Sequence, residues 1–99
     1  MTHTPFPAKL ISPLNESIIN STDVVTFQWE GYDLDGDIEN YDLIIENTSN
    51  GQEIKYEKII SQNFAAELQK GNIYLWKIIT RDTENNLSSS VILNFELAN

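Results

Sequence analysis

The stretch Leu68-Gln69-Lys70-Gly71-Asn72-Ile73-Tyr74-Leu75-Trp76 is the part of this chain that decides the fold. It sets a Leu, a Gly and a Tyr at Leu-x-x-Gly-x-x-Tyr spacing and continues directly into residues with strand character. Gly favours a turn because it lacks the Cβ that disfavours positive φ angles. The pattern predicts a turn at Gly71 and a bond from the Tyr74 hydroxyl back to this turn, an arrangement known as a tyrosine corner.

The rest of the sequence repeats a period of two, which is typical of half-buried β-strands. A first strand near residues 8–12 ends at Pro13, which suits the edge of a sheet because Pro has no N–H to donate. Turn-forming Asn, Asp, Gly and Ser residues separate the strands at intervals of about ten residues, as in all-β sandwiches. The apolar positions of the later strands are Val25, Phe27 and Trp29; Tyr41, Leu43 and Ile45; Ile54 and Tyr56; Phe64, Ala66 and Leu68; Tyr74, Trp76 and Ile78; Val91, Leu93, Phe95 and Leu97.

The length of 99 residues suits one domain. We expect a sandwich over residues 7–99 and a linker-like tail over residues 1–6, as a module of a longer chain. The predicted core holds the large side chains of the inward phase: Phe27, Trp29, Tyr41, Leu43, Leu68, Tyr74, Trp76, Ile78, Leu93 and Phe95.

Several further positions add to the corner and the alternation: Pro13, Phe27-x-Trp29, Asp33-x-Asp35-Gly36-Asp37, Tyr41-x-Leu43, Trp76, Asp82 and Phe95. Together they resemble a fibronectin type III domain, of the variety found in exported, multidomain proteins of Bacteroidetes-like bacteria. The resemblance covers residues 7–97 and implies an all-β, seven-strand antiparallel Greek-key β-sandwich of the immunoglobulin-like class. One departure is Glu84-Asn85-Asn86, where a Gly is expected in the last hairpin. Asn also tolerates positive φ, so this turn can still form.

Composition argues against several classes of function. The formal net charge of −9 disfavours binding to nucleic acid or to anionic lipid, whose phosphates would be repelled. The chain has no Cys, which excludes disulfides and thiolate metal sites. Its one His, His3, lies in the predicted tail, so the usual pairs of nucleophile and base are missing. We therefore expect no catalytic activity.

Carboxylates on one predicted loop form the candidate metal site. Asp33, Asp35 and Asp37 lie together, and the sandwich topology brings Asp82 to the same end. Such oxygen ligands suit calcium, although the spacing differs from that of an EF-hand. The alternative is a solvated turn in which the Asp side chains bond to their own backbone.

Apolar residues also occupy the outward phase of neighbouring strands, where polar residues are usual. Contiguous apolar patches of this kind often mark contact surfaces, so we predict an interface here. The alternative is that β-branched residues simply suit strands. The candidate interface residues are Ile44, Ile73, Leu75, Ile79 and Ile92.

The resemblance implies a non-catalytic structural or protein-interaction module, a spacer or docking domain, of a larger exported or surface-anchored bacterial protein. Its location would be extracellular, at the cell surface or periplasmic. Adjacent domains of the parent chain are the expected partners, with another protein or a glycan in addition, and no nucleic acid or membrane insertion. One alternative is a ligand-binding module that takes calcium or a glycan at the acidic loops, where Tyr32 offers an exposed ring. The other is an accessory domain of a secreted glycoside hydrolase. No cofactor is expected apart from calcium.

Overall fold

The computed structural model describes residues 5–20, 22–32 and 36–99, and all of their regular secondary structure is β-strand. The longer strands cover the predicted alternating runs, although the last strand starts later than predicted, and two short strands were not predicted. In chain order they are β1 (Phe6–Ser12), β2 (Ser17–Ile19), β3 (Val24–Tyr32), β4 (Ile38–Asn47), β5 (Gln52–Ile59), β6 (Asn63–Glu67), β7 (Asn72–Asp82), β8 (Leu87–Ser89) and β9 (Leu93–Leu97).

The strands form two sheets packed face to face. One sheet has the order β1-β3-β6, and the other has the order β2-β9-β7-β4-β5, with β8 added beside β7. The seven longer strands give the predicted immunoglobulin-like sandwich, so the fold class is confirmed. The short strand β2 runs parallel to β9 and extends the larger sheet at that edge. Strand β1 begins at Phe6, inside the predicted tail, whereas residues 1–4 lie outside the described residues.

The core lies between the sheets and is dominated by aromatic rings. Nine of the ten predicted core side chains are buried, and Leu93 is partly buried against them. Phe27 of β3 contacts Trp76 and Phe95 of the other sheet edge-on, with ring centroids 5.1 and 5.8 Å apart. The alternation was wrong at Val91, which is 68% exposed because β9 begins only at Leu93.

The tyrosine corner forms as predicted. The Tyr74 hydroxyl donates a hydrogen bond to the Gln69 carbonyl oxygen at 2.8 Å and accepts one from the Gln69 N–H at 3.0 Å. Gly71 supplies the turn with a φ of 84°, and its N–H donates to the Leu97 carbonyl oxygen at 2.6 Å. The corner therefore ties the turn before β7 to the end of β9.

Replacing Tyr74 by Phe tests the energy of this corner. The change leaves the ring in the core but removes the partner of the Gln69 N–H and one of the two donors to the Gln69 carbonyl oxygen, which also accepts from the Asn72 amide at 3.2 Å. We expect a loss of about 1–3 kcal/mol in the free energy of unfolding. Denaturation in urea measures it. Tyr32→Phe is the matched control, because Tyr32 is 59% exposed and its loss of a hydroxyl should have little effect. Equal stabilities of the two variants would contradict the role of the corner.

A second core tyrosine packs closely against backbone. Tyr41 is buried beside Trp29, with ring centroids 5.7 Å apart. Its hydroxyl oxygen lies only 2.0 Å from the position that a Cβ on Gly31 would take, so this residue has to be Gly. Burial raises the pKa of the Tyr41 hydroxyl above its ordinary value of 10.0, because the phenolate would lose its solvation.

This raised pKa predicts a loss of stability at alkaline pH. The unfolded chain releases the Tyr41 proton near its ordinary pKa of 10.0, whereas the folded chain still holds it. The unfolded state then binds fewer protons, so stability falls as the pH rises above that value. Between pH 8 and 11, the free energy of unfolding measured in urea should fall less steeply with pH for Tyr41→Phe than for the parent chain. Tyr32→Phe should show the same dependence of unfolding free energy on pH as the parent chain. The same dependence in Tyr41→Phe would contradict the assignment of the alkaline loss to Tyr41.

Candidate functional site

The loop before β4 and the turn after β7 meet at one end of the sandwich, which we call the acidic pole. Ile38 pairs with Asp82 across the two strands. The Thr83 N–H donates to the Asp37 carbonyl oxygen at 3.0 Å, and the Thr83 hydroxyl donates to the Asp37 carboxylate at 3.2 Å. Asp37 and Asp82 are therefore brought together by strand pairing, as the topology predicts.

Asp82 holds the turn between β7 and β8. It is fully buried, and its Oδ1 accepts hydrogen bonds from the N–H groups of Glu84 at 3.0 Å and Asn86 at 2.8 Å. Its Oδ2 accepts a further bond from the Asn86 amide at 3.0 Å. Asn85 takes the positive φ of 67° that the missing Gly would have taken. The carboxylate thus replaces backbone partners that a tight hairpin turn leaves unpaired.

The predicted calcium site stays a prediction. Asp33 and Asp35 lie outside the described residues, so their geometry relative to Asp37 and Asp82 is not part of the structure. Within the described part of the chain, no three His, Cys, Asp or Glu side chains are arranged to hold a metal ion. A cation at Asp82 would also compete with the three N–H groups from which this carboxylate accepts hydrogen bonds.

Asp82→Asn separates the turn role from a metal role. The new side-chain amide would place an N–H donor next to the Asn86 donors, where the carboxylate accepts hydrogen bonds. We expect a loss of about 1–3 kcal/mol in the free energy of unfolding. The loss should appear in EDTA, where no calcium is bound. A larger loss in millimolar calcium would indicate that Asp82 also binds calcium. No loss in EDTA would contradict the role of Asp82 in the turn. Glu84→Gln, an exposed change in the same turn, is the control.

The outer face of the larger sheet carries the predicted interface residues. Ile44 of β4, Leu75 of β7 and Ile92 line one shallow depression of about 80 Å³, which we call the outer-face depression. Glu46, Glu53, Trp76 and Lys77 complete its lining. Ile92 is 58% exposed, and Ile44 and Leu75 are half-buried. The register therefore gathers three of the five predicted interface residues.

The other two interface residues lie on the same strand outside this depression. Ile73 is 46% exposed and sits opposite Glu96 of β9. Ile79 is half-buried and sits opposite Asp42 of β4 and Ser89 of β8. The apolar stripe along β7 is thus interrupted by charge, and the interface as a whole stays a prediction.

The sequence interpretation missed the two acidic residues beside the depression. Glu46 shares its strand phase with Ile44, so the alternation alone could have placed it on the outer face. Glu53 lies on the outward phase of its strand, but its position next to Glu46 depends on the register of the β4–β5 hairpin, in which Glu46 lies directly opposite Glu53. The turn between them contains Gly51, with a φ of 72°.

A buried ion pair closes the other end of this face. The Arg81 Nη2 lies 3.0 Å from the Asp42 Oδ2, and the Arg81 Nη1 donates to the Asn40 Oδ1 at 2.6 Å. The N–H of Lys58, which has a φ of 59°, donates to the Asp42 Oδ1 at 3.2 Å. Asp42 is buried although it lies on the outward phase, because these groups cover it. Its charge is therefore used within the fold.

The fold, its strand order and its tyrosine corner define a fibronectin type III-like module. It is similar to fibronectin(III)-like modules of Clostridium thermocellum CbhA, with a TM-score of 0.74, 16% identity and 96% of this chain covered. It is also similar to the twitchin kinase region of C. elegans, with a TM-score of 0.67, 19% identity and 98% of the chain covered. A third likeness is to an alpha-L-rhamnosidase from Dictyoglumus thermophilum, with a TM-score of 0.68, 22% identity and 99% covered.

These likenesses confirm the predicted resemblance at the level of the fold. The chain spans 47% of the first of these chains, 17% of the second and 13% of the third, so the same fold recurs within larger polypeptides. No protein-family model and no curated protein sequence matches the chain. The part of the chain that the structure describes contains no helix long and apolar enough to cross a membrane.

Proposed function

We propose that this domain is a non-catalytic structural module that holds neighbouring domains of a larger exported or surface-anchored bacterial protein at a set distance. The observation that supports this role is the course of the chain, which enters the sandwich at one end and leaves it at the other. The larger polypeptides in which the same fold occurs are consistent with such a role.

The entry point lies at the acidic pole. Ser88 donates a hydrogen bond to the Pro5 carbonyl oxygen, and Ser88 pairs with Thr80 near the end of β7. Phe6 stacks on Tyr32 in the same region, with ring centroids 5.3 Å apart. These contacts anchor the first described residues to the sandwich.

The exit point lies at the opposite end of β7. Leu97 pairs with Asn72, the first residue of that strand, and the Ala98 N–H donates to the Ile19 carbonyl oxygen at 2.8 Å. The eight residue-to-residue steps of β7 from Asn72 to Thr80 span roughly 27 Å, from a rise of about 3.4 Å per residue. The molecule measures 49 × 21 × 19 Å, so neighbours attached to the two ends would be separated along its long axis.

The spacing role is tested by attaching a small folded protein with a donor dye to one end and one with an acceptor dye to the other. Single-molecule energy transfer should give a narrow distance distribution until the sandwich unfolds. A Gly/Ser linker of equal length is the control, because such linkers behave as flexible coils. A distribution as broad as that of the linker would overturn the role, and so would turnover of a substrate by the domain itself.

The second candidate is an accessory domain of a secreted glycoside hydrolase. It is favoured by the likeness to one part of an alpha-L-rhamnosidase chain. This role differs from a pure spacer because loss of the domain would lower the activity of an adjoining hydrolase on a polymer more than on a small substrate. Equal activity on both substrates without the domain would exclude it.

A further inference from the structure

The outer-face depression is too small to be a pocket for a small organic ligand. Its volume of about 80 Å³ compares with about 300–1,000 Å³ for typical ligand pockets. Its apolar lining comes from Ile44, Leu75, Trp76 and Ile92. A space of this size and character suits one aliphatic side chain presented by another molecule.

The charges that line the depression are unbalanced, because two carboxylates, Glu46 and Glu53, stand against one ammonium group, Lys77. Glu46 and Glu53 lie directly opposite each other on β4 and β5, and like charges in this position destabilise a strand pair. The ion pairs found among the described residues join Lys55 to Glu57 and Arg81 to Asp42, so neither Glu46 nor Glu53 takes part in one. Lysine or arginine side chains from outside would relieve the repulsion between these two carboxylates.

The same charges argue against a second copy of this chain as the occupant. Each copy carries a formal net charge of −9, so two copies would repel each other at long range. At short range, two such faces would bring together four carboxylates, Glu46 and Glu53 from each copy, with only the two Lys77 ammonium groups to offset them. The complementary surface is therefore basic and belongs to a different protein or domain.

We propose that the outer-face depression docks a basic segment of a partner protein, which inserts one aliphatic side chain between Ile44, Leu75 and Ile92 and pairs flanking Lys or Arg side chains with Glu46 and Glu53. This inference does not depend on the spacing role, because it concerns the side of the sandwich and not its ends. A module can space its neighbours and dock a partner on this face at the same time.

The test is a titration of the 99-residue chain with a short basic peptide, monitored by two-dimensional amide NMR. The probe is the blocked pentapeptide Lys-Arg-Leu-Arg-Lys, and the matched peptide Lys-Arg-Gly-Arg-Lys has the same charge but no aliphatic side chain. We expect saturable shifts centred on Ile44, Glu53 and Leu75, with a Kd about tenfold lower for the Leu peptide. Equal Kd values, shifts spread over the whole acidic surface, or no shifts would overturn the proposal.

Charge reversal supplies the second readout. Glu46→Lys combined with Glu53→Lys should raise the Kd of the Leu peptide about tenfold, because both carboxylates are replaced by cations that repel the basic peptide. Glu30→Lys combined with Glu67→Lys makes the same change in net charge on exposed positions of the other sheet and should leave the Kd within about twofold. Preserved dispersion of the amide spectrum shows that each variant is folded. An equal rise in Kd for both double variants would overturn the proposal, since it would reflect net charge alone.

Discussion

Phe27→Ala is expected to lower the free energy of unfolding by about 3–5 kcal/mol. Phe27 is fully buried and is the ring of the smaller sheet that contacts Trp76 and Phe95 of the larger one. Truncation removes its apolar surface and leaves a cavity that rigid neighbouring rings cannot fill. A domain of this length has about 5–15 kcal/mol of stability, so the loss is a large share of the total.

Denaturation in urea measures this effect, and the midpoint should fall with little change of slope. Val24→Ala is the matched control, because Val24 lies on the same strand but is 45% exposed. Its truncation should change stability by no more than about 0.5 kcal/mol. If Phe27→Ala were as mild as Val24→Ala, the aromatic contact between the sheets would not be a main source of stability.

Arg81→Met is expected to lower the free energy of unfolding by about 3–5 kcal/mol. The change removes the guanidinium that lies 3.0 Å from Asp42, whose side chain is only 3% exposed in the native domain. The carboxylate then keeps the Lys58 N–H as its hydrogen-bond donor, at 3.2 Å, but loses its counter-charge. An uncompensated buried charge is costly, because water cannot solvate it.

A double variant separates the cost of the unpaired charge from the strength of the pair. Arg81→Met combined with Asp42→Leu replaces both partners with apolar groups, which is often neutral for buried pairs. We expect this double variant to recover most of the stability that Arg81→Met loses. A double variant as unstable as the single one would show that the loss came from packing of the Arg81 side chain and not from the orphaned Asp42.

The candidate sites were only partly predictable from the sequence. Ile44 and Leu75 could be placed on the outer face, because strand phase is a local property. The proximity of Asp37 to the turn after Asp82 was predicted from the topology of the fibronectin type III fold that the sequence resembles. The hydrogen bonds that occupy the Asp82 carboxylate could not be foreseen, since they depend on how the chain folds back at Asn86.

The sequence by itself determined the longer strands, most of the core and the tyrosine corner. The alternation of apolar residues and the Leu68, Gly71 and Tyr74 spacing are local patterns, and hydrophobic burial leaves only one face of each strand to pack inward. The tertiary structure alone decided which outward residues meet. Strand register sets Glu46 against Glu53, and a shift in the β4–β5 pairing brings the Lys58 N–H to Asp42 and helps to bury it. Register joins residues far apart in the chain, so no local pattern contains it.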